Sequence, residues 1–85
     1  MRLVETSKFR KLRKKIRGDH ERSGLREAVH AVSIDPGAGK TLKGEFKDLR
    51  ALKYQVKGQS RRLIYKAEKN TLILFSFGPR EGIYG

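Results

Sequence analysis

The sequence contains no cysteine and no tryptophan, and only 2 of its 85 residues are proline. Without cysteine there is neither a disulfide framework nor a thiolate zinc site, which favours a reducing, cytoplasmic location. No segment approaches the roughly 18 to 20 consecutive apolar residues that span a membrane, so no membrane partner is expected. The first residues also lack the apolar core of a secretion signal, which predicts a soluble protein that stays inside the cell.

Acidic residues are scarce, since 9 Asp and Glu stand against 21 Lys and Arg and leave a formal net charge of +12. Such a charge on so short a chain creates a strong positive potential, whose natural counterpart is a polyanion. The chain is expected to form a single domain, residues 1–85, and is too short for a TIM barrel or a doubly wound sheet. Hydrophobic residues make up 36% and follow clear periods, which argues for a folded core.

The amino-terminal half predicts one short strand and two helices. Residues 1–5 are long enough for an edge strand at best. A helix follows and runs to about Ile16, capped by Thr6 or Ser7, whose hydroxyl groups can accept from a free backbone N–H. A second helix begins at Asp19 or Ser23, each of which is a good capping residue. The pair is predicted to form an antiparallel helical hairpin.

After Phe46 the hydrophobic period changes from 3.6 to 2. Leu52 and Tyr54 then fall on one face of a strand, and Lys53 and Gln55 fall on the opposite face. Turn residues divide the remainder into a three-stranded antiparallel meander. The prediction is an α+β fold in which both helices cover one sheet face and leave the other open.

The common catalytic motifs are absent. Gly37, Gly39 and Lys40 lack the spacing of a phosphate-binding loop. His20 and His30 have no partner at metal-ligand spacing, and both are predicted to be surface or structural residues. Neither a metal nor another cofactor is expected.

The predicted open face carries the remaining chemistry. Strand alternation places Lys53 and Arg62 on it, Arg80 follows the last strand, and Tyr84 lies close enough in sequence to fold over the same surface. Such a site can support attack of an RNA 2′-hydroxyl on the adjacent phosphate, which requires a base, an acid and cations for the developing charge. Arginine is suited to stabilising the negative charge that develops on the phosphate, but it is a reluctant proton donor. Lys53 and Tyr84 are therefore the candidates for proton transfer.

Other basic residues are candidate RNA contacts. No acidic residue interrupts the segment from Lys8 to Arg17, which favours contact with a phosphate backbone over a merely solvated surface. The full set of candidate contacts is Lys8, Arg10, Lys11, Arg13, Lys14, Lys15, Arg17, Lys43 and Arg61.

An ordered series of segments resembles the RelE/ParE superfamily of bacterial toxins. The segments are Leu42-Lys43-Gly44, Arg62-Leu63-Ile64-Tyr65 and Phe77-Gly78-Pro79-Arg80-Glu81, followed by Tyr84. The resemblance covers nearly the whole chain and implies a sandwich similar to that of the microbial ribonucleases. RelE-like members cut messenger RNA, often in the ribosomal A site, and ParE-like members inhibit DNA gyrase.

The resemblance also implies roles for individual residues. It implies that Tyr84 is the base, that Arg80 is the acid or stabilises the leaving group, and that Lys53 and Arg62 clamp the phosphate. Gln55 stands where the RelE pattern has a second lysine, which removes one cation.

The sequence therefore predicts the toxin of a toxin-antitoxin system, closer to the RelE-like members. Its expected activity is metal-independent endoribonucleolytic cleavage of messenger RNA on the ribosome. A ParE-like gyrase inhibitor and a non-catalytic RNA-binding module remain the alternatives. The resemblance further implies an antitoxin encoded beside the toxin, and the net charge of +12 predicts that this partner is acidic.

Overall fold

The computed structural model describes residues 2–79. The elements are β1 (Arg2–Glu5), α1 (Ser7–Lys14), α2 (Asp19–Ile34), β2 (Lys40–Thr41), a 3₁₀ turn (Gly44–Phe46), β3 (Arg50–Val56), β4 (Gln59–Glu68) and β5 (Thr71–Gly78). The predicted α+β class, both helices and the final antiparallel meander are confirmed. No helix within the described residues is long and apolar enough to cross a membrane.

The strands form one mixed five-stranded sheet in the order β1-β5-β4-β3-β2. The edge strand β1 runs parallel to β5, and every other neighbouring pair is antiparallel. The opposite edge strand, β2, pairs Lys40 with Ala51 and Thr41 with Arg50. This strand was not predicted, because its 2 residues are too few to establish a period.

The first helix is held at its start by Thr6. The Thr6 hydroxyl accepts from the backbone N–H of Phe9 at 3.2 Å and donates to the carbonyl of Leu74 at 3.0 Å, so one side chain caps α1 and ties it to β5. The ring of Phe9 is buried and meets the edge of Phe77, with centroids 5.2 Å apart. The helix ends at Lys14, slightly before the predicted end near Ile16.

The second helix begins at Asp19, the earlier of the two predicted starts. It buries Leu25, Ala28 and Val32 against the sheet. The helices pack chiefly on the sheet, α1 over β5 and β1 and α2 over β3 and β4. An open cleft of about 520 Å³ lies between the helices and β1.

The sequence predicted that the sheet face away from the helices is open. In the structure, part of this face is covered. Ile64 points to this face, yet only 2% of its surface is exposed. Phe46 and Leu49, which lie in and just after the 3₁₀ turn, line a cavity on this face together with Ile64 and Phe75. The covered area includes Ile64 on β4, and the exposed area lies around Lys53 on β3.

Tyr54 lies on the helix-covered face of β3, and its hydroxyl is buried without a hydrogen-bond partner among residues 2–79. Burial and, secondarily, the negative charge of Glu21 raise the pKa of Tyr54 from its ordinary value of 10.0 to about 12, against a smaller lowering effect of Arg61. An unpaired buried polar group costs about 1 to 3 kcal/mol. The hydroxyl of Tyr54 therefore costs stability, while its ring packs against the core.

We expect Tyr54→Phe to raise the free energy of unfolding at pH 7 by about 1 kcal/mol, because it removes the unpaired hydroxyl and keeps the ring. In the wild type, the raised pKa of Tyr54 has no effect on stability below pH 10.0, and it lowers the free energy of unfolding as the pH rises from 10.0 towards 12, because the unfolded state loses its proton first. Denaturant unfolding at pH 7 and at alkaline pH measures both effects. A variant less stable than the wild type at pH 7 would contradict this account.

Candidate nucleic-acid interface

The register between β3 and β4 places Lys53 directly opposite Arg62. Directly opposed side chains share a face, with Cβ atoms roughly 4.5 to 5.5 Å apart. Lys53 is exposed and Arg62 is half-buried, and both lie on the face away from the helices. The structure thus brings together two of the predicted catalytic residues. The other two, Arg80 and Tyr84, lie outside the described residues.

No carboxylate neutralises this pair within residues 2–79. The ion pairs of the described chain involve Glu5, Asp19, Glu21 and Glu68, and none of them reaches Lys53 or Arg62. Like charges directly opposite one another on a sheet are destabilising. A pair that weakens the fold without a counter-ion is typical of a site for an external anion.

Lys53→Gln is expected to raise the free energy of unfolding by about 0.2 to 1 kcal/mol at low salt, because it removes the repulsion across the strands. The gain should shrink in 1 M salt, where charges are screened over about 3 Å. Lys69→Gln, an equal change of charge in the β4–β5 turn, serves as the control and should leave stability nearly unchanged. Equal stabilities of the Lys53 variant and the wild type at low salt would argue against a repulsive pair.

The pair forms one wall of an open cleft of about 650 Å³, called here the basic cleft and lined by Lys40, Lys43, Lys53 and Arg62 among others. Among residues 2–79, no Asp or Glu lines this cleft. Lys43, a predicted RNA contact, therefore lies beside the predicted catalytic pair. The sequence did not predict Lys40 as a residue of the site, because it did not predict the strand β2. The only local pattern at Lys40 is the glycine-lysine spacing that does not fit a phosphate-binding loop.

The backbone before Lys40 is held by the hydroxyl of Tyr65, whose side chain is fully buried. The N–H of Gly39 donates to this hydroxyl at 2.8 Å, and the hydroxyl donates to the carbonyl of Pro36 at 2.8 Å. A third bond runs from the Arg50 guanidinium to the Gly39 carbonyl, also at 2.8 Å. Burial of the phenol raises the pKa of Tyr65. Tyr65 is thus a packing residue and also fixes the loop that leads into β2.

Arg61 was predicted to contact RNA, but it lies on the face of the sheet that the helices cover. Adjacent residues of a strand point to opposite faces, so Arg61 points to the helices and Arg62 points away from them. Its guanidinium donates to the carboxylate of Glu21 on α2 at 2.8 Å, and only 14% of its side chain is exposed. Arg61 therefore links β4 to α2 through its ion pair with Glu21, on the face of the sheet opposite Lys53.

The basic residues of the first helical segment form a separate surface. Those at positions 8, 10, 11, 13, 14, 15 and 17 are all exposed. Glu5 on β1 engages Arg13, whose hydrogen bond holds the pKa of Glu5 below its ordinary value, and Glu5 also lies 3.9 Å from Arg10. Because α1 packs on the helix-covered side of the sheet, this surface does not merge with the basic cleft. Lys8 is nearest to the other face, where it lines the cavity beside Ile64.

Within the described residues, no group of three or more His, Cys, Asp or Glu side chains is placed to hold a metal ion. His20 and His30 are both exposed on α2. The arrangement that remains is a cationic cleft suited to phosphate groups.

Comparison with known proteins identifies the family. A family model for the ParE-like toxins of type II bacterial toxin-antitoxin systems matches residues 3–85. The chain belongs to this family. Membership confirms the resemblance to the RelE/ParE superfamily, and the protein is therefore the toxin of a type II toxin-antitoxin system.

Solved structures share the fold of the toxin. A chain of the intact Escherichia coli RelBE toxin-antitoxin complex is 24% identical, with a TM-score of 0.71, and the match covers 92% of the toxin and 94% of that chain. A copper-bound mutant toxin from Helicobacter pylori is 20% identical, with a TM-score of 0.64 and 99% coverage of both chains. A conserved hypothetical protein from the same organism is 23% identical, with a TM-score of 0.57 and coverage of 95% and 96%. No protein of curated function matches the toxin.

Proposed function

We propose that the toxin is an endoribonuclease that cuts messenger RNA on the ribosome, in the cytoplasm, and so inhibits translation. The observation that carries this proposal is the Lys53–Arg62 pair, exposed on the sheet and without a carboxylate among residues 2–79. Two opposed cations in the wall of a cleft suit the oxygens of a phosphate group.

The reaction needs no cofactor in this scheme. The RNA 2′-hydroxyl loses a proton to a base and attacks the adjacent phosphorus, and the 5′-oxygen leaves with a proton from an acid. The products are a 2′,3′-cyclic phosphate and a 5′-hydroxyl. Arg62 holds two phosphate oxygens with its planar fork, and Lys53 adds a second charge where negative charge accumulates.

The proton-transfer groups are proposed on the basis of the sequence. Tyr84 is the proposed base, and Arg80 is the proposed acid or the stabiliser of the leaving oxygen; both lie outside the described residues. Support comes from the end of β5, because Gly78 lies directly opposite Arg62. The last strand therefore ends next to the proposed phosphate site, two residues before Arg80 in the sequence.

The test is cleavage in a translating extract with and without EDTA. We expect truncated transcripts under both conditions, with cyclic phosphate and 5′-hydroxyl ends. Intact transcripts together with arrested DNA supercoiling would overturn the proposal in favour of gyrase inhibition. RNA binding without cleavage under any condition would favour the non-catalytic binding module.

Gyrase inhibition is kept as the second candidate because the matching family model describes ParE-like toxins. This candidate predicts that changes at Lys53 and Arg62 leave growth arrest nearly unchanged. It also predicts that the toxin inhibits DNA supercoiling by purified gyrase in the absence of RNA. Supercoiling at the normal rate in excess toxin would exclude it.

An acidic antitoxin is the proposed protein partner, since one chain of similar fold belongs to a toxin-antitoxin complex. The cleft between the helices is lined by the apolar residues Leu25 and Val29 and by Arg22 and Arg26. An amphipathic segment with acidic edges fits this combination of charge and apolar surface. The protein encoded beside the toxin gene should bind purified toxin at low salt, and failure to bind would contradict this assignment.

A further inference from the structure

We propose that Lys40 holds the RNA phosphate next to the scissile one. The inference deepens the proposed function and rests on the Lys53–Arg62 pair as the site of the scissile phosphate. It assigns a direction to the RNA across the sheet, from Arg62 on β4 over Lys53 on β3 towards the edge strand β2.

Strand register carries the first step. Lys40 pairs with Ala51, which lies two residues before Lys53 on the same strand, so the side chains of Lys40 and Lys53 share a face. Diagonal neighbours of this kind have Cα atoms roughly 7 to 8 Å apart. Both lysines line the basic cleft, in which Arg62 is the third cation of the series. The charges therefore continue from the scissile-phosphate site to the sheet edge.

The other direction along β3 carries no charge on this face. Gln55 pairs with Ser60, and both side chains are uncharged and exposed. A phosphate that left the Lys53–Arg62 pair towards the β3–β4 turn would meet amide and hydroxyl groups there. One that left towards β2 would meet Lys40 and then Lys43.

The local structure favours a fixed position for Lys40. The preceding residue, Gly39, is bonded through its N–H to Tyr65 and through its carbonyl to Arg50. No ion pair within the described chain involves Lys40. An exposed lysine on a tethered backbone, without a carboxylate, is available for an external anion.

Salt dependence of binding measures the number of phosphates that a protein neutralises. For single strands, the slope of log K against log salt is about 0.7 per phosphate. The experiment uses the full-length toxin and a single-stranded RNA with 2′-O-methyl groups, which binds but cannot be cut. We expect Lys40→Gln to reduce the slope by about 0.7, and Lys40→Arg, which keeps the charge, to retain the wild-type value.

Lys57→Gln is the matched control, because Lys57 is exposed at the β3–β4 turn, in the direction the proposed RNA path avoids. Its slope should equal that of the wild type. In the cleavage reaction, Lys40→Gln should raise KM more than it lowers kcat, as expected for a contact present equally before and during the reaction.

Three results would overturn the inference, and the first two have different consequences for the proposed function. If Lys40→Gln keeps the wild-type slope and Lys53→Gln lowers it, the second phosphate does not lie on β2 and the scissile-phosphate site stands. If neither variant changes the slope, the basic cleft binds no phosphate and both proposals fail together. A lowered slope for Lys40→Arg would also exclude a role through charge.

Discussion

Replacing Arg62 with alanine is expected to lower the rate of RNA cleavage by roughly 100-fold to 1,000-fold, the usual cost of removing one group that stabilises a transition state. The guanidinium is half-buried opposite Lys53, where water cannot fully substitute for it. Quantified transcript cleavage, with growth arrest as a second readout, measures the loss. Arg62→Lys should recover only part of the rate, because an ammonium cannot hold two phosphate oxygens in a planar fork.

Arg2→Ala provides the matched control for this change. Arg2 is exposed on the edge strand β1, which β5 and β4 separate from β3 in the sheet. Its replacement should leave cleavage unchanged. Thermal unfolding of the Arg62 variant should give a melting temperature at least as high as that of the wild type, since the variant removes a repulsive pair. Full activity of Arg62→Ala would remove the main support for a nuclease.

Gly39→Ala is expected to destabilise the toxin by about 3 kcal/mol through overpacking and broken hydrogen bonds. A methyl group at this position would lie 2.7 Å from the Tyr65 hydroxyl and 2.8 Å from a carbon of the same ring. The Tyr65 ring is fully buried and cannot move aside cheaply. For a domain of this size the melting temperature should fall by roughly 10 to 20 °C.

The neighbouring Gly37 supplies the control for this prediction. A methyl group there would come no closer than 3.6 Å, to the Asp35 carboxylate. Gly37→Ala should therefore melt within a few degrees of the wild type when both glycine variants are measured by calorimetry. If the Gly39 variant melts at the wild-type temperature, the loop before β2 is not tethered as the hydrogen bonds indicate, and the fixed position of Lys40 is lost as an argument.

Long periodic segments were the part of the fold that the sequence revealed. The helix cap at Thr6 and the alternation of Leu52, Lys53 and Tyr54 are local patterns, and the structure has both. Alternation also implied that Lys53 and Arg62 share a face once their strands pair in register. The same alternation turns Arg61 to the helices, and its partner Glu21 lies 40 residues away, beyond the reach of any local pattern.

What the sequence did not reveal depends on tertiary contacts. The strand β2 consists of Lys40 and Thr41 and exists because it pairs with β3, so no periodicity marks it. The cover over Ile64 comes from Phe46 and a short 3₁₀ turn, which also lacks a repeat. The basic cleft was therefore predicted without its β2 wall, and the proposal of a second phosphate contact at Lys40 depends on strand register.

The pairing of β1 with β5 has a consequence for the order of synthesis. The Thr6 hydroxyl donates to a carbonyl 68 positions further along the chain, and β1 has no neighbour in the sheet other than β5. A nascent chain therefore cannot complete its sheet until β5 has left the exit tunnel of the ribosome that makes it. Contacts so distant in sequence slow folding. Until β5 has been synthesised, the toxin therefore lacks its complete native sheet.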